Sequence, residues 1–472
     1  MACTGRMTLF GGFAALWLAS IAVLATADEA AADRWQTVRR IAIDDSVWHW
    51  NSASWDQDKI VSVGDFQYTV YWDSDRVMVL VRRDLRDDRV ERLRLEGFTL
   101  SADDAHRNTC LGVSRSDGRL HLSWDHHNNP LRYARSRAGL LTEPPATISA
   151  ADIEPPQPIG SEPEMEARVT YPRFFNDPAG NLFLCYRLGG SGNGENYLHR
   201  YDAAKGTWSR IGRLFSLRGV YPPWNNSTTR NAYLHDLVFD ATGRLHASWV
   251  FREAAATWAS NHDLHYAASD DGGRTWRNSE GELVGDLVRG DPIELADPGI
   301  VVREIPVYSW MMNAGCMALD SKNRPHVVTF KLPGVHRPAK LAHGPPAEVV
   351  AELRLVHYWR ADDGTWHGGE PIADEGAEGG VRRGDIVFDD NDNLYFFYHP
   401  RGTAEGFRCL ESHAADGWKT WQSYSLTGPE ITGLDASKHD RARWRERGVL
   451  SFTARFGDNG FGIVDLRRQP IP

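Results

Sequence analysis

An apolar stretch, a turn rich in Asp, Asn and Gly, and a second apolar stretch recur five times along this chain. The turns are Ser116-Asp117-Gly118-Arg119, Asp177-Pro178-Ala179-Gly180-Asn181, Asp240-Ala241-Thr242-Gly243-Arg244, Asp320-Ser321-Lys322-Asn323-Arg324 and Asp389-Asp390-Asn391-Asp392-Asn393. Gly and Asn tolerate φ > 0, and Asp and Asn side chains accept from nearby backbone N–H groups, which suits them to tight turns. The last residues of these turns are spaced 62, 63, 80 and 69 apart. A period of this size marks units that bury their apolar faces only against their neighbours. Two less regular hairpins flank the five, around Asp73-Ser74-Asp75 and around Gly457-Asp458-Asn459-Gly460, which brings the count to seven.

A second mark follows several units: Gly206-Thr207-Trp208, Gly273-Arg274-Thr275-Trp276, Gly364-Thr365-Trp366 and Lys419-Thr420-Trp421. The fullest form, Ser269-Asp270-Asp271-Gly272-Gly273-Arg274-Thr275-Trp276, fits the Asp-box pattern Ser-x-Asp-x-Gly-x-x-Trp. In that pattern the carboxylate ties the turn and the Trp packs between units, a structural role. Strand pairs at this pitch, without a long amphipathic helix, predict an all-β fold: a seven-bladed β-propeller of four-stranded antiparallel blades.

The first 27 residues read as a secretory signal peptide. Arg6 gives the positive start, residues 9–25 are uncharged and apolar, and Ala25-Thr26-Ala27 is a small-residue cleavage pattern. Residues 28–472 are then expected to form a single propeller domain, seven units of about 64 residues each. The Pro-rich stretches 143–164 and 335–347 read as loops. Four cysteines follow the leader, Cys110, Cys185, Cys316 and Cys409, far apart in apolar runs. They are expected to be buried thiols rather than a disulfide framework. Export makes the expected location secreted or periplasmic. The balance of 53 Lys and Arg against 63 Asp and Glu argues against nucleic acid as a partner. The mature chain is expected to carry no membrane span and to act as a monomer.

In such a fold the start of the first strand and the end of the second lie at the same end of each blade, around one opening. Starts include His106, Tyr171, His235 and Asn313. Ends include Asp125-His126-His127, Arg187, Arg252, Lys331 and His399. A His and a Tyr can exchange protons with a substrate. An Arg offers a planar fork matched to a carboxylate. Together they suit β-elimination of a uronic-acid polysaccharide: a base takes the C5 proton, Arg offsets the charge developing on the uronate, and an acid protonates the leaving oxygen.

The motifs Asp125-His126-His127-Asn128-Asn129-Pro130-Leu131-Arg132-Tyr133, Thr170-Tyr171-Pro172-Arg173-Phe174 and Tyr186-Arg187-x-Gly189-Gly190-Ser191-Gly192-Asn193-Gly194 resemble the BNR-repeat family. Within it they are most similar to the seven-bladed ulvan lyases of the polysaccharide lyase family 25 type. The resemblance implies that His106 and Tyr171 serve as base and acid, that His126 supports the proton relay, and that Arg187 neutralises the uronate. His127 is expected to face the other side of its strand. Arg252, Tyr233 and His235 are candidates for sulfate or neighbouring sugars. The resemblance also implies a structural zinc near the central channel and no organic cofactor. The candidate ligands are His262, Cys316 and His399, with Asp263 as a further donor. Two other classes share such scaffolds: sialidase-type glycosidases and non-catalytic sugar- or protein-binding propellers. The Arg-Ile-Pro entry motif of the first is absent, since Pro172 precedes Arg173 here.

Overall fold

The computed structural model describes residues 1–2, 35–51, 58–160, 162–254, 257–334, 344–372, 383–399, 407–426, 431–434 and 438–468. All but the first two residues of the expected leader, and most of the Pro-rich stretch 335–347, lie outside the described residues.

Seven antiparallel sheets follow one another along the chain, and each is a blade. Blade 1 pairs Ile60–Val63, Phe66–Trp72, Val77–Asp84 and Val90–Thr99. Blade 2 has three strands, Thr109–Ser114, Arg119–Trp124 and Tyr133–Arg135. Blade 3 has Val169–Asn176, Leu182–Gly190, Asn193–Asp202 and Thr207–Phe215, with a fifth strand, His127–Asn129, added to its first edge. Blade 4 is the largest, with six strands that begin with Arg230–Phe239, Leu245–Glu253 and Asn261–Ser269. Blades 5 and 6 have four strands each, starting at Cys316–Leu319 and Gly384–Phe388. Blade 7 combines Ile431–Leu434, Val449–Phe456 and Gly460–Arg468 with Trp35–Asp44 from the other end of the chain. The propeller and its seven units are as expected from the repeat; the uniform four-stranded blade is not, because blades 2, 3 and 4 depart from it.

The core is divided as a propeller requires. Seven apolar clusters each fill the gap between two adjacent blades. Leu80 and Trp72 of blade 1 meet Leu111 and Leu122 of blade 2. Tyr133 meets Leu184 between blades 2 and 3, and Phe183 meets Trp249 between blades 3 and 4. The ring closes where Tyr71 of blade 1 stacks on Phe461 of blade 7, with ring centroids 4.7 Å apart.

Four of the five recurrent turns share one hydrogen-bond scheme. Asp177, Asp240, Asp320 and Asp389 each accept from the backbone N–H four residues on, at 2.8–3.0 Å. In the Asp-box, Asp271 accepts from Ser269 Oγ, Arg274 N, Thr275 N and Thr275 Oγ1, while Trp276 Nε1 donates to Gly273 O. The marker tryptophans pack backwards onto the preceding blade. Trp208 meets Tyr133, Trp366 meets Tyr266, and Trp421 meets His357.

The first strands of blades 1 to 6 touch in succession around the axis. The segment Lys438–Asp440 and the helix Arg441–Arg447 tie across this ring. Asp440 Oδ2 accepts from Ser62 and Gln67 of blade 1. Lys438 Nζ lies 2.8 Å from Asp236 of blade 4 and 3.6 Å from Asp385 of blade 6. Asp236 also takes Arg173 of blade 3, at 2.7 Å, and Arg441, at 2.5 Å. Cys110, Cys185, Cys316 and Cys409 are buried thiols, with no disulfide among the described residues.

Candidate functional site

The candidate site is built from the edges of blades 2, 3 and 4. Its first part is the turn before blade 2, residues 101–108, where Asp104 bends back. Asp104 Oδ1 accepts from the backbone N–H of His106 at 3.0 Å and lies 2.5 Å from His106 Nδ1. Its second oxygen lies 2.5 Å from His127 Nδ1. The two imidazoles stack, with centroids 4.3 Å apart and planes 21° from parallel. Burial pushes the His106 imidazole down to about 4; His127 and Arg383 act in the same direction against the Asp104 carboxylate. Burial would raise Asp104, but the hydrogen bonds from His106 and His127 outweigh it and hold the carboxyl well below its usual range.

His127 arrives by a route that strand alternation does not describe. Asp125 has φ +63° and Asn128 φ +62°, so the chain turns out of blade 2 after Trp124. Asp125 is fully buried and pinned by Arg107 at 3.1 Å and Arg132 at 2.9 Å. The chain then runs as His127–Asn129 along Val169–Asn176, pairing His127 with Thr170. The expectation for the His pair is therefore reversed. His127 joins His106, while His126 turns inward, 1% exposed, 3.0 Å from Ser123 Oγ and accepting from the backbone N–H of Arg132 at 3.2 Å. Burial pushes its imidazole down to about 3.

Tyr171 sits at an irregularity in the pairing of Val169–Asn176 with Leu182–Gly190, between Thr170 and Arg173. Its φ of +52° is a sparsely populated conformation for a non-Gly residue. The ring comes to 6.3 Å from His106, centroid to centroid. Arg187 lies opposite Thr170 in the same hairpin and is 2% exposed. Its guanidinium is 5.2 Å from the Tyr171 ring centroid and 5.2 Å from that of Tyr233. Gly194 permits this, because a Cβ there would lie 3.0 Å from the Arg187 stem. Arg187 Nε donates to Gly189 O at 3.2 Å.

The Arg252 guanidinium also adjoins Tyr233, 4.6 Å from its ring centroid. Its Nε donates to Asn261 Oδ1 at 2.8 Å, and its Nη1 reaches the Tyr233 hydroxyl at 3.2 Å. Tyr233 in turn donates to Ser191 Oγ at 3.1 Å. Burial opposes ionisation of Tyr233, but the guanidiniums of Arg252 and Arg187 outweigh it and bring the phenol down to about 7. Nη1 of Arg187 and Nη2 of Arg252 are buried without a hydrogen-bond partner among the described residues. Buried donors in this state are uncommon and suit an anionic ligand.

His106, Tyr171 and Arg187 are thus brought together, and Tyr233 and Arg252 adjoin them. His235 is not with them. It is fully buried in mid-strand, bonded to Ser248 Oγ at 3.0 Å, and burial lowers it to about 3. The irregularity between Leu234 and Asp236 separates it from Tyr233. The proposed zinc ligands do not assemble either. His262 lies between the carboxylates of Asp263, at 2.9 Å, and Glu253, at 3.1 Å. Cys316 donates to Val328 O at 3.7 Å, and burial pushes its thiol up. His399 ends the inner hairpin of blade 6. Asp104, His106 and His127 are the one triplet of His, Cys, Asp or Glu ligand atoms within 4.8 Å of one another among the described residues. His262, Cys316 and His399 therefore do not fit a shared metal here. Sequence reasoning missed Asp104 and Ser191 as site residues. The available signal for Asp104 was a carboxylate two residues before the candidate His.

One rim of the propeller thus presents two stacked imidazoles, a Tyr at positive φ and two buried guanidiniums, each with one nitrogen lacking a hydrogen-bond partner among the described residues. The chain belongs to the BNR repeat-containing family, which matches residues 66–371. It is 27% identical over 263 residues to the long-isoform ulvan lyase of Pseudoalteromonas sp. (strain PLSV), a match covering 48% of this chain and 26% of that protein. It is 26% identical over 239 residues to the short-isoform ulvan lyase of Alteromonas sp. (strain LOR), covering 42% of this chain and 43% of the other. The chain thus matches about a quarter of the length of the first relative and 43% of the second. Among solved structures, polysaccharide lyase Uly1 superposes with a TM-score of 0.69 at 13% identity, covering 92% of this chain and 99% of that one. A family 25 ulvan lyase bound to -[GlcA(1-4)Rha3S]- superposes with a TM-score of 0.59 at 14% identity, covering 90% and 95%. These two likenesses bear on the fold.

Proposed function

We propose that this protein is a polysaccharide lyase that cleaves a uronic-acid-containing, ulvan-like polymer by β-elimination. The observation that carries the reading is Arg187: a buried guanidinium with an unpaired Nη1, stacked on Tyr171, whose ring is 6.3 Å from that of His106. The uronate carboxylate takes the Arg187 fork, which stabilises negative charge as it develops. His106, neutral at ordinary pH, removes the C5 proton. The C4–O bond breaks as the C4=C5 bond forms, and Tyr171 gives its proton to the departing oxygen. Arg252, with Tyr233 and Ser191, contacts the neighbouring anionic sugar. The ulvan lyase relatives and the glucuronate–rhamnose-sulfate ligand of the structural neighbour support this substrate class. Export by the segment before residue 28 fits a polymer too large to enter a cell. No described helix is long and apolar enough to cross a membrane.

The test is a panel of ulvan, heparinoid, pectic and other uronate polymers, read at the absorbance of the unsaturated uronide. Absorbance with ulvan or another uronate polymer supports elimination. Reducing ends without absorbance would indicate a hydrolase. Binding with neither would leave a carbohydrate-binding propeller.

A further inference from the structure

We propose that Asp104 is a positioning residue that holds His106 and His127 together as one proton-accepting unit. The inference rests on the lyase reading above but concerns a different group. An ionised carboxylate is acceptor-only, so each Nδ1 facing it must be the protonated nitrogen. His106 approaches one oxygen and His127 the other, both at 2.5 Å. When neutral, each imidazole then keeps its lone pair on Nε2, at the ring edge away from Asp104. A single carboxylate thereby fixes the tautomer and the plane of two rings.

The clamp joins separate parts of the molecule. Asp104 and His106 lie in the turn before blade 2, where Arg107 N donates to Asp104 O at 2.9 Å. His127 lies on the strand added to blade 3, directly opposite Thr170 and so one residue from Tyr171. Asp104 therefore fixes the base against the strand that carries the acid. It also sets the proton account. The two rings stack at 4.3 Å, so a proton taken from the substrate by one disfavours a second on the other. The resulting imidazolium remains hydrogen-bonded to the carboxylate, which offsets its charge without itself being protonated. Charged and titratable groups near His106 include Asp104, His127, Arg383 and Tyr171; Arg107 Nε faces Asp104 at 3.7 Å.

The test uses Asp104→Asn and Asp104→Glu in the full chain. Asn keeps the shape but has one acceptor oxygen, so it releases one imidazole. Glu keeps both oxygens. We expect kcat of D104N to fall on the order of 10²-fold, as for a misplaced catalytic group, with KM changed little. D104E should recover part of that loss. The second readout needs no substrate: ¹⁵N shifts of the imidazoles. Both His106 and His127 should be Nδ1–H tautomers in the wild type, and at least one should lose that state in D104N. An Nε2–H tautomer for either ring in the wild type overturns the proposal, as does wild-type kcat in D104N. Equal losses in D104N and D104E, tracking a lowered Tm, would make Asp104 structural only. If no polymer is cleaved, the lyase reading fails while the tautomer measurement still decides the clamp.

Discussion

Three side chains bear the proposed chemistry, and each sits where its backbone leaves it little choice. Tyr171 is held at φ +52° ahead of Pro172, and the buried Arg187 guanidinium lies 5.2 Å from the ring centroids of both Tyr171 and Tyr233. His106→Ala and Tyr171→Phe should each reduce uronide production by about 10²–10⁴-fold, the usual worth of a general acid or base. Neither change should shift Tm by more than a degree or two, and full activity in both would remove the assignment. Arg187→Lys should lose on the order of 10²-fold, because an ammonium cannot reproduce the fork or the stacking; an unimpaired R187K would end the neutraliser role. Tyr171 and Arg187 were legible in the sequence because they share one hairpin, with Arg187 opposite Thr170. The choice between His126 and His127 was not. Alternation counts from a strand, and Asp125 at φ +63° ends the strand before the pair. Asp104 was equally hidden, since a turn carboxylate reveals its partners only when the turn is folded.

At the scale of elements, the repeat is held by short-range turn bonds and by tryptophans that reach the preceding blade. Trp276 is fully buried and clusters with Phe183 and Leu198 of blade 3 and Leu245 of its own blade. Trp276→Ala should cost about 3–5 kcal/mol in urea unfolding, the range for a large buried aromatic. Activity at low temperature should survive, since the Asp-box lies away from the rim; a loss under 1 kcal/mol would show that this Trp does not bind the blades. The Asp-box and the Asp turns were readable because their bonds are local in sequence. The strand His127–Asn129 was not, because three polar residues carry no alternation. The extra strands of blade 4 were likewise invisible, being short and irregular.

At the scale of the whole molecule, the ring is shut by Trp35–Asp44 pairing with Gly460–Arg468. Trp35 adds edge-on contacts to Tyr395 and Phe397 of blade 6, at 5.2 and 5.1 Å. A chain begun at Asp45 should melt well below the full chain, and an unchanged Tm would mean that closure contributes nothing. Acid should loosen the same ring. Burial holds His126, His199, His235 and His265 down at about 3. Unfolded, each binds a proton near pH 6.5, so between pH 6.5 and 3 the unfolded chain holds more protons. Their contribution is therefore complete above pH 6.5 and is lost as pH falls, by about 1.4 kcal/mol per unit for each group. Tm should drop from pH 7 to pH 5 at fixed ionic strength; a flat or rising Tm would contradict the burial of these imidazoles.

The ties made by Lys438, Asp440 and Arg441 give the ring a hub as well as a rim. Blades 1, 4 and 6 are spoked to one short segment, and Arg173 links blade 3 to the same carboxylate, Asp236. A wheel laced this way cannot widen at one point without straining its spokes. The proposed base stands before blade 2 while the acid and the carboxylate anchor share one hairpin of blade 3, and the separation of base from acid is set by the wheel rather than by any one loop. The proposed lyase would meet a flexible polymer with a fixed gauge, and it is the sugar chain that must bend to fit.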